Sequence, residues 1–155
     1  MKDISIIYLE NNKENIKIVS ELILKDISQK CFANKDAEGN IIPIENMAGL
    51  YLEYTDMYGI KESDKFIGLL SLTNENEISI FVEPDYQGKG IGKWLLAQAF
   101  IKIIHVAEIT GLYFIIVDAK ETSKGFYEHF GFIKFNDKEQ SYFLPVDTVR
   151  KAMQR

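Results

Sequence analysis

The chain has 155 residues, 46% of them hydrophobic and 12% aromatic. That is enough apolar mass for one core, so residues 1–155 are expected to form a single domain. Its 23 acidic residues outnumber 18 Lys and Arg, giving a net charge of −5. This argues against a general nucleic-acid binder, which must neutralise several phosphates with basic side chains. The small basic run of Arg150, Lys151 and Arg155 reads as a solvated helix end. The lone cysteine, Cys31, cannot pair within the chain, and His105 and His129 fall on separate predicted helices. Neither a disulfide nor a metal site is therefore expected. The opening MKDISIIYLE has acidic flanks and no small-residue cleavage site, and no stretch approaches the ~20 apolar residues that span a bilayer. The expected location is the cytoplasm, with no membrane partner.

In chain order, Ile4 to Leu9 reads as a strand. Asn11 and Asn12 then offer a helix cap before Ile16, Val19, Leu22, Ile23 and Ile27, which recur at helical spacing. Ser28 to Pro43 mixes Asn, Asp, Gly and charge around Cys31 and Phe32 without a sustained period, and is expected to be a loop. Ile44 to Tyr54 reads as a helix with Met47, Leu50, Tyr51 and Tyr54 on one stripe facing the core. Tyr58 to Glu62 and Phe66 to Thr73 read as strands joined by Ser63-Asp64-Lys65. Asn74-Glu75-Asn76 leads to a third, completing an antiparallel meander.

In that third strand Ile78, Ile80 and Val82 alternate with Ser79, Phe81 and Glu83, the period of a strand packed on one side. Pro84 has no N–H to donate and ends the ladder, and the chain runs into Gln87-Gly88-Lys89-Gly90-Ile91-Gly92. Three glycines where a helix begins destabilise it unless the backbone must lie close to a ligand. Without Cβ atoms the N–H groups of Gly88 to Lys93 can face outward together, and the helix N-terminus adds partial positive charge, so a diphosphate fits. A Walker A loop does not fit, because Lys93 is followed by Trp94 rather than a hydroxyl residue. A Rossmann turn fits poorly, because Gly90 and Gly92 are too close together and Glu108 falls late in the helix.

Lys89 to Glu108 reads as a long helix with a wide stripe of Leu95, Leu96, Ala99, Phe100, Ile103, Ile104 and Ala107, capped by Gly111. Leu112 to Val117 is a continuous apolar run, expected to be a strand buried on both faces. Strand, helix and buried strand imply a parallel right-handed crossover. Ser123 to Phe130 reads as a short helix ending at Gly131. Phe132 to Phe135 and Ser141 to Leu144 read as a closing hairpin, and Asp147 to Met153 as a last helix. The expected class is α+β: a mixed, largely antiparallel sheet with a central parallel pair, Ile78–Val82 and Leu112–Val117, flanked by helices.

Two of these stretches carry a resemblance. Gln87-x-x-Gly90-x-Gly92 resembles the cofactor motif of the GNAT superfamily of N-acetyltransferases. Phe126-Tyr127-Glu128-His129-Phe130-Gly131-Phe132 resembles its Phe-Tyr-x-x-x-Gly-Phe segment, and together they cover Phe66 to Leu144. The resemblance implies acetyl-CoA as cosubstrate and acetyl transfer to a primary amine of an acceptor that the sequence does not name. It implies diphosphate contacts from Gln87, Gly88, Lys89, Gly90, Ile91, Gly92 and Lys93. The pantetheine arm would pair with the backbone of Ile80, Phe81 and Val82 where the parallel strands splay apart. Where the family often has Asn before the short helix, this chain has Lys120-Glu121-Thr122.

In the family a free amine attacks the acetyl carbonyl and the CoA thiolate leaves. An alkylammonium of pKa about 10.4 is only about one part in a thousand free amine at pH 7, a deficit of roughly 4.6 kcal/mol that a positioned carboxylate can reduce. Glu83 is the first candidate base and Asp118 the second, acting directly or through water. Tyr127 occupies the family position of the acid that protonates the thiolate. Two alternatives stand beside this reading. Val117-Asp118-Ala119 and Tyr142-Phe143-Leu144-Pro145 are similar to GNAT toxins of toxin–antitoxin pairs that acetylate aminoacyl-tRNA, although their Phe-x-Cys-Gly segment is missing here. The other is a GNAT module that binds acyl-CoA without turnover. A homodimer is left open.

Overall fold

The computed structural model describes residues 3–26 and 35–155. Strand β1 (Ile4–Tyr8) leads into helix α1 (Lys13–Asp26). Helix α2 (Ile44–Tyr54) precedes the antiparallel strands β2 (Asp56–Glu62), β3 (Lys65–Leu72) and β4 (Glu77–Val82). A 3-10 turn at Pro84–Tyr86 and the long helix α3 (Ile91–Thr110) connect β4 to β5 (Phe114–Asp118). A second 3-10 turn at Glu121–Ser123, helix α4 (Lys124–His129), strands β6 (Ile133–Lys134) and β7 (Ser141–Pro145), and helix α5 (Val146–Met153) complete the chain. Among the described residues the strands form one sheet in the order β1-β2-β3-β4-β5-β7-β6, in which β4 and β5 are parallel and the other neighbours antiparallel. The expected α+β class and central parallel pair are what the structure has.

Local chemistry sets the element ends. The Asn12 side chain accepts from the Asn15 N–H at 2.9 Å, capping α1 as its sequence position suggests. Gly111, at φ +70°, closes α3 by donating its N–H to the Ala107 carbonyl at 2.9 Å. The start of α3 is two residues later than the Lys89 expected from periodicity, because Gly90 is in the left-handed region and cannot belong to a right-handed helix. Cys31, Phe32 and Ile27 lie outside the described residues.

The sheet is covered unequally. On one face Leu95, Leu96, Ala99 and Ile103 of α3 pack on Ile78, Val82, Ile115, Val117 and Leu144, all buried in one cluster. Each large aliphatic group removed from water there contributes about 1.5–3 kcal/mol. On the other face Val19, Leu22 and Ile23 of α1 and Met47, Ala48 and Leu52 of α2 cover Met57, Leu69 and Phe81. Among the described residues the second layer stops at β4 and leaves the same face of β5 and β7 open. This corrects the expected double burial of Leu112 to Val117: β5 begins at Phe114, and alternation puts Ile115 and Val117 fully inside while Phe114 is 51% exposed. Helix α2 is likewise rotated from the expected stripe. Met47, Ala48 and Leu52 face inward, whereas Leu50 and Tyr54 are exposed.

The parallel pair is short. Only Glu77↔Ile116 and Ile78↔Val117 are in register, and beyond them β4 continues to Val82, paired with β3 alone. Two strands thus diverge from a vertex at Ile78 and Val117 towards the turn that starts α3.

Candidate active site

The turn after β4 is tightly braced. The Glu83 N–H donates to the Ile67 carbonyl at 2.8 Å, and the Gln87 side-chain amide donates to the Val82 carbonyl at 2.9 Å. The Tyr86 ring lies against the ammonium groups of Lys65 and Lys89, 5.1 and 5.0 Å from its centre. Gly88 and Gly90 then take φ +74° and +83°, where a side-chain-bearing L-residue is disfavoured by about 1–2 kcal/mol. A Cβ added at either position would meet no atom within 4 Å. The backbone angle demands glycine there, and the space above the turn stays clear. The N–H groups of the first turn of α3 have no acceptor within the helix, and no acidic side chain sits in that turn to neutralise its positive end. Lys89 and Lys93 flank it. This cradle fits a diphosphate.

At the vertex of the splay is a narrow cleft lined by Ile78, Ser79 and Ile80 of β4, Asp118 and Lys120 at the end of β5, Ser123, and Tyr127 of α4. Tyr127 is 7% exposed, its ring edge-on to Phe126 at 5.1 Å and to Phe132 at 5.4 Å. The Asp118 carboxylate is exposed and accepts from the Ser141 hydroxyl at 2.5 Å. Wider grooves of about 490 and 470 Å³ lie elsewhere, between α3, β5 and α5 and between α3 and the β2 and β3 ends. Neither contains a residue of the glycine turn or Tyr127.

The structure brings Asp118 and Tyr127 to one cleft, and it does not bring Glu83 to them. A strand advances about 3.3 Å per residue, so Glu83 is about 10 Å beyond Ile80, at the mouth of the splay. There it is buried between Lys25 of α1 and Lys65 of β3, with the Lys65 ammonium at 3.1 Å. Burial pushes its carboxyl up, but hydrogen bonds from the two lysines outweigh this and hold it below the usual range.

Another carboxylate that the sequence reading passed over, Glu77, lies near Asp118 without lining the cleft. Glu77 pairs with Ile116 at the vertex, and strand alternation puts it on the same face as Ser79 and Asp118. Burial, and then the charges of Asp118 and Glu75, raise its carboxyl above the usual range, with Lys138 pulling the other way. The signal was its parity with Ser79 at the first position of β4.

The family model described as acetyltransferase (GNAT) domain matches residues 23–145 of this chain. The chain belongs to the GNAT acetyltransferase family. As a GNAT member it is an acyltransferase whose cosubstrate is acetyl-CoA, and the glycine cradle and the splayed strands fit that molecule. Among curated proteins it is 30% identical over 73 residues to the peptidyl-lysine N-acetyltransferase YjaB of Salmonella typhimurium strain LT2. That match spans 47% of this chain and 46% of the relative, so the chain spans about half the length of that protein. Among solved structures, a KacTA–DNA complex superposes with a TM-score of 0.69 at 16% identity, covering 97% of this chain and 98% of that one. AtaTR bound with AcCoA gives 0.68 at 17%, covering 99% of both. Mutant forms of the spermidine/spermine N-acetyltransferase SpeG from Vibrio cholerae give 0.67 at 15%, covering 97% and 98%. At such identities these likenesses establish the shared GNAT fold.

Proposed function

We propose that the chain, as one domain over residues 1–155, transfers the acetyl group of acetyl-CoA to a primary amine by direct attack. The observation that supports this best is the vertex cleft, which places Tyr127 and Asp118 together at the closed end of a splay whose open end carries the glycine cradle. In this reading the turn from Gln87 to Lys93 holds the diphosphate through backbone N–H groups and the start of α3. The free edge of β4 at Ile80, Phe81 and Val82 pairs with the pantetheine amides as a neighbouring strand would. The thioester then lies near Tyr127. A phenol of pKa about 10 stays protonated at pH 7 and donates to a departing thiolate whose own pKa is about 8.5. The acceptor approaches over the open face of β5 and β7, where α1 and α2 do not reach, and a carboxylate at the vertex draws in its ammonium. Glu83, tied to two lysines at the mouth, serves in this reading to hold α1 against the sheet.

The likeness to AtaT and to SpeG is equal within the spread of their scores, so it does not choose between a tRNA-borne amine and a polyamine. The test is to mix the protein and acetyl-CoA with peptides, polyamines and aminoacyl-tRNA while following thiol release and the mass of the acceptor. Acetylated amine with equimolar CoA is the expected result. Stabilisation by acetyl-CoA with no turnover on the panel would replace the enzyme by a binding module.

A further inference from the structure

We propose that the open face of β5, β7 and β6 seats the apolar body of the acceptor, so that the preferred substrate is a monoamine carried on an aromatic or branched aliphatic group and not a polyamine. The proposal rests on the acetyltransferase reading above and gives it an acceptor class. Register decides which side chains share this face. Phe114, Ile116 and Asp118 of β5 stand opposite Pro145, Phe143 and Ser141 of β7, and Phe143 in turn stands opposite Ile133 of β6. The alternate residues Ile115, Val117, Tyr142 and Leu144 point the other way, into the cluster under α3. Phe114 is 51% and Ile133 52% exposed. Between them the Phe143 ring meets Phe114 at 5.7 Å and Phe135 at 4.9 Å, so the aromatic groups form one strip. Neighbouring strands are about 4.8 Å apart, which makes the row Ile116, Phe143 and Ile133 about 10 Å wide, room for a ring. Single apolar side chains on a surface mean little, but a contiguous patch rimmed by charge marks a binding surface.

The strip adjoins the cleft, and the charges around it are ordered. Asp118, which lines the cleft with Tyr127, closes it at the cleft end, and Glu77 of β4, opposite Ile116, adds a second carboxylate on that side. At the far side the Lys138 ammonium lies over the Phe135 ring, 5.9 Å from its centre. The face therefore runs from negative charge at the cleft, across apolar side chains, to a positive charge at its rim. An amine lying on it has its ammonium beside Asp118 and its body on Ile116 and Phe143, two residues or about 7 Å back along the strands. A polyamine would carry its further ammonium groups onto apolar side chains and towards Lys138. Desolvation and like charge both oppose that placement.

The test measures kcat/KM by thiol release with phenethylamine, 3-methylbutylamine, ethylamine and spermidine. The first two should exceed the last two by roughly 10-fold or more, the scale of a few methylenes in an apolar site. Phe114→Ser with Ile133→Ser alters side chains that are already half exposed, so the double variant should fold, as circular dichroism would show. It should lower the phenethylamine-to-ethylamine ratio at least about threefold while the KM for acetyl-CoA stays within about twofold, since only contacts with the acceptor are removed. Phe143→Leu keeps the face apolar and should weaken phenethylamine more than 3-methylbutylamine. A wild-type preference for spermidine, or an unchanged ratio in the folded double variant, would overturn the role of the strip and leave the acetyltransferase reading standing. Sedimentation showing a dimer that the double variant dissociates would assign the face to a second copy of the chain and overturn it as well. No thiol release with these amines, with peptides or with aminoacyl-tRNA would remove the acetyltransferase reading and this proposal with it.

Discussion

Glu83→Gln separates a structural carboxylate from a catalytic one. The native side chain is 6% exposed and meets two ammonium groups whose own side chains are 48% and 56% exposed. A hydrogen bond to a charged group contributes about 1.5–3 kcal/mol when buried, whereas exposed ion pairs contribute about 0–1. Half-exposed lysines put each contact near 1 kcal/mol or below. Gln cannot carry the charge and turns an amide towards one of the cations, so the loss should be about 1–2 kcal/mol. For a domain of this size each kcal/mol shifts Tm by about 2–4 °C, so a drop of roughly 2–8 °C is expected at pH 7 by circular dichroism. Because the folded carboxyl is held below its unfolded value, its contribution is complete above about pH 4.3 and fades as pH falls through the lower folded pKa. The gap between wild type and variant should therefore close in acid. Turnover should keep its acid limb. An unchanged Tm at pH 7 together with a lost acid limb would refute the argument and make Glu83 the base.

Gly68→Ala should cost about 1–3 kcal/mol, read from the urea midpoint, because its Cβ would stand 2.4 Å from the Phe81 carbonyl oxygen, a backbone atom that cannot swing away. Gly90→Val should fold with a penalty of about 1–2 kcal/mol from its φ of +83° and lose acetyl-CoA binding by calorimetry; wild-type affinity would sink the cradle. Tyr127→Phe should lower kcat roughly 10- to 10⁴-fold, with stability down by no more than about 1.5 kcal/mol, and the defect should shrink with thioesters of more acidic thiols. Acetyl-CoA at 100 times its dissociation constant should stabilise the fold by about 2.7 kcal/mol in a thermal scan, and NAD should do less.

Much of this architecture was legible because its signals are local. Asn12 caps a helix wherever it stands before one, and the period of Ile78, Ile80 and Val82 marks a strand, although the expected packing on one side fails because α1 and α2 bury Phe81 on the other face. What escaped depends on neighbours distant in sequence. The run from Leu112 to Val117 carries no mark saying that α1 and α2 stop short of it, so its outer face was expected to be covered. In the same way Leu50 and Tyr54 look like core on a helical wheel, and only the docking of α2 on Met57 and Leu69 decides that Met47, Ala48 and Leu52 face inward. Glu83 and Glu77 bracket one strand and are chemically alike. Lys25, 58 residues from Glu83, and Asp118, beyond α3, give them opposite electrostatic surroundings, and neither is a nearest neighbour in the chain.

The short register between β4 and β5 has a consequence for association. From Ser79 to Val82 β4 has no strand beside it on one side, where the Gln87 amide takes the Val82 carbonyl at the far end, and β3 on the other. Outer edges invite other chains to add on, and proteins blunt them with charge, twist or brevity. This edge is protected by its setting, since β5 and α4 stand across the gap and α3 roofs one face. A foreign strand with side chains on both faces would collide with those walls, while a slender linear amide need not. The divergence of two strands thus keeps a strongly adhesive stretch of backbone inside the molecule, open to a thread and shut to a ribbon.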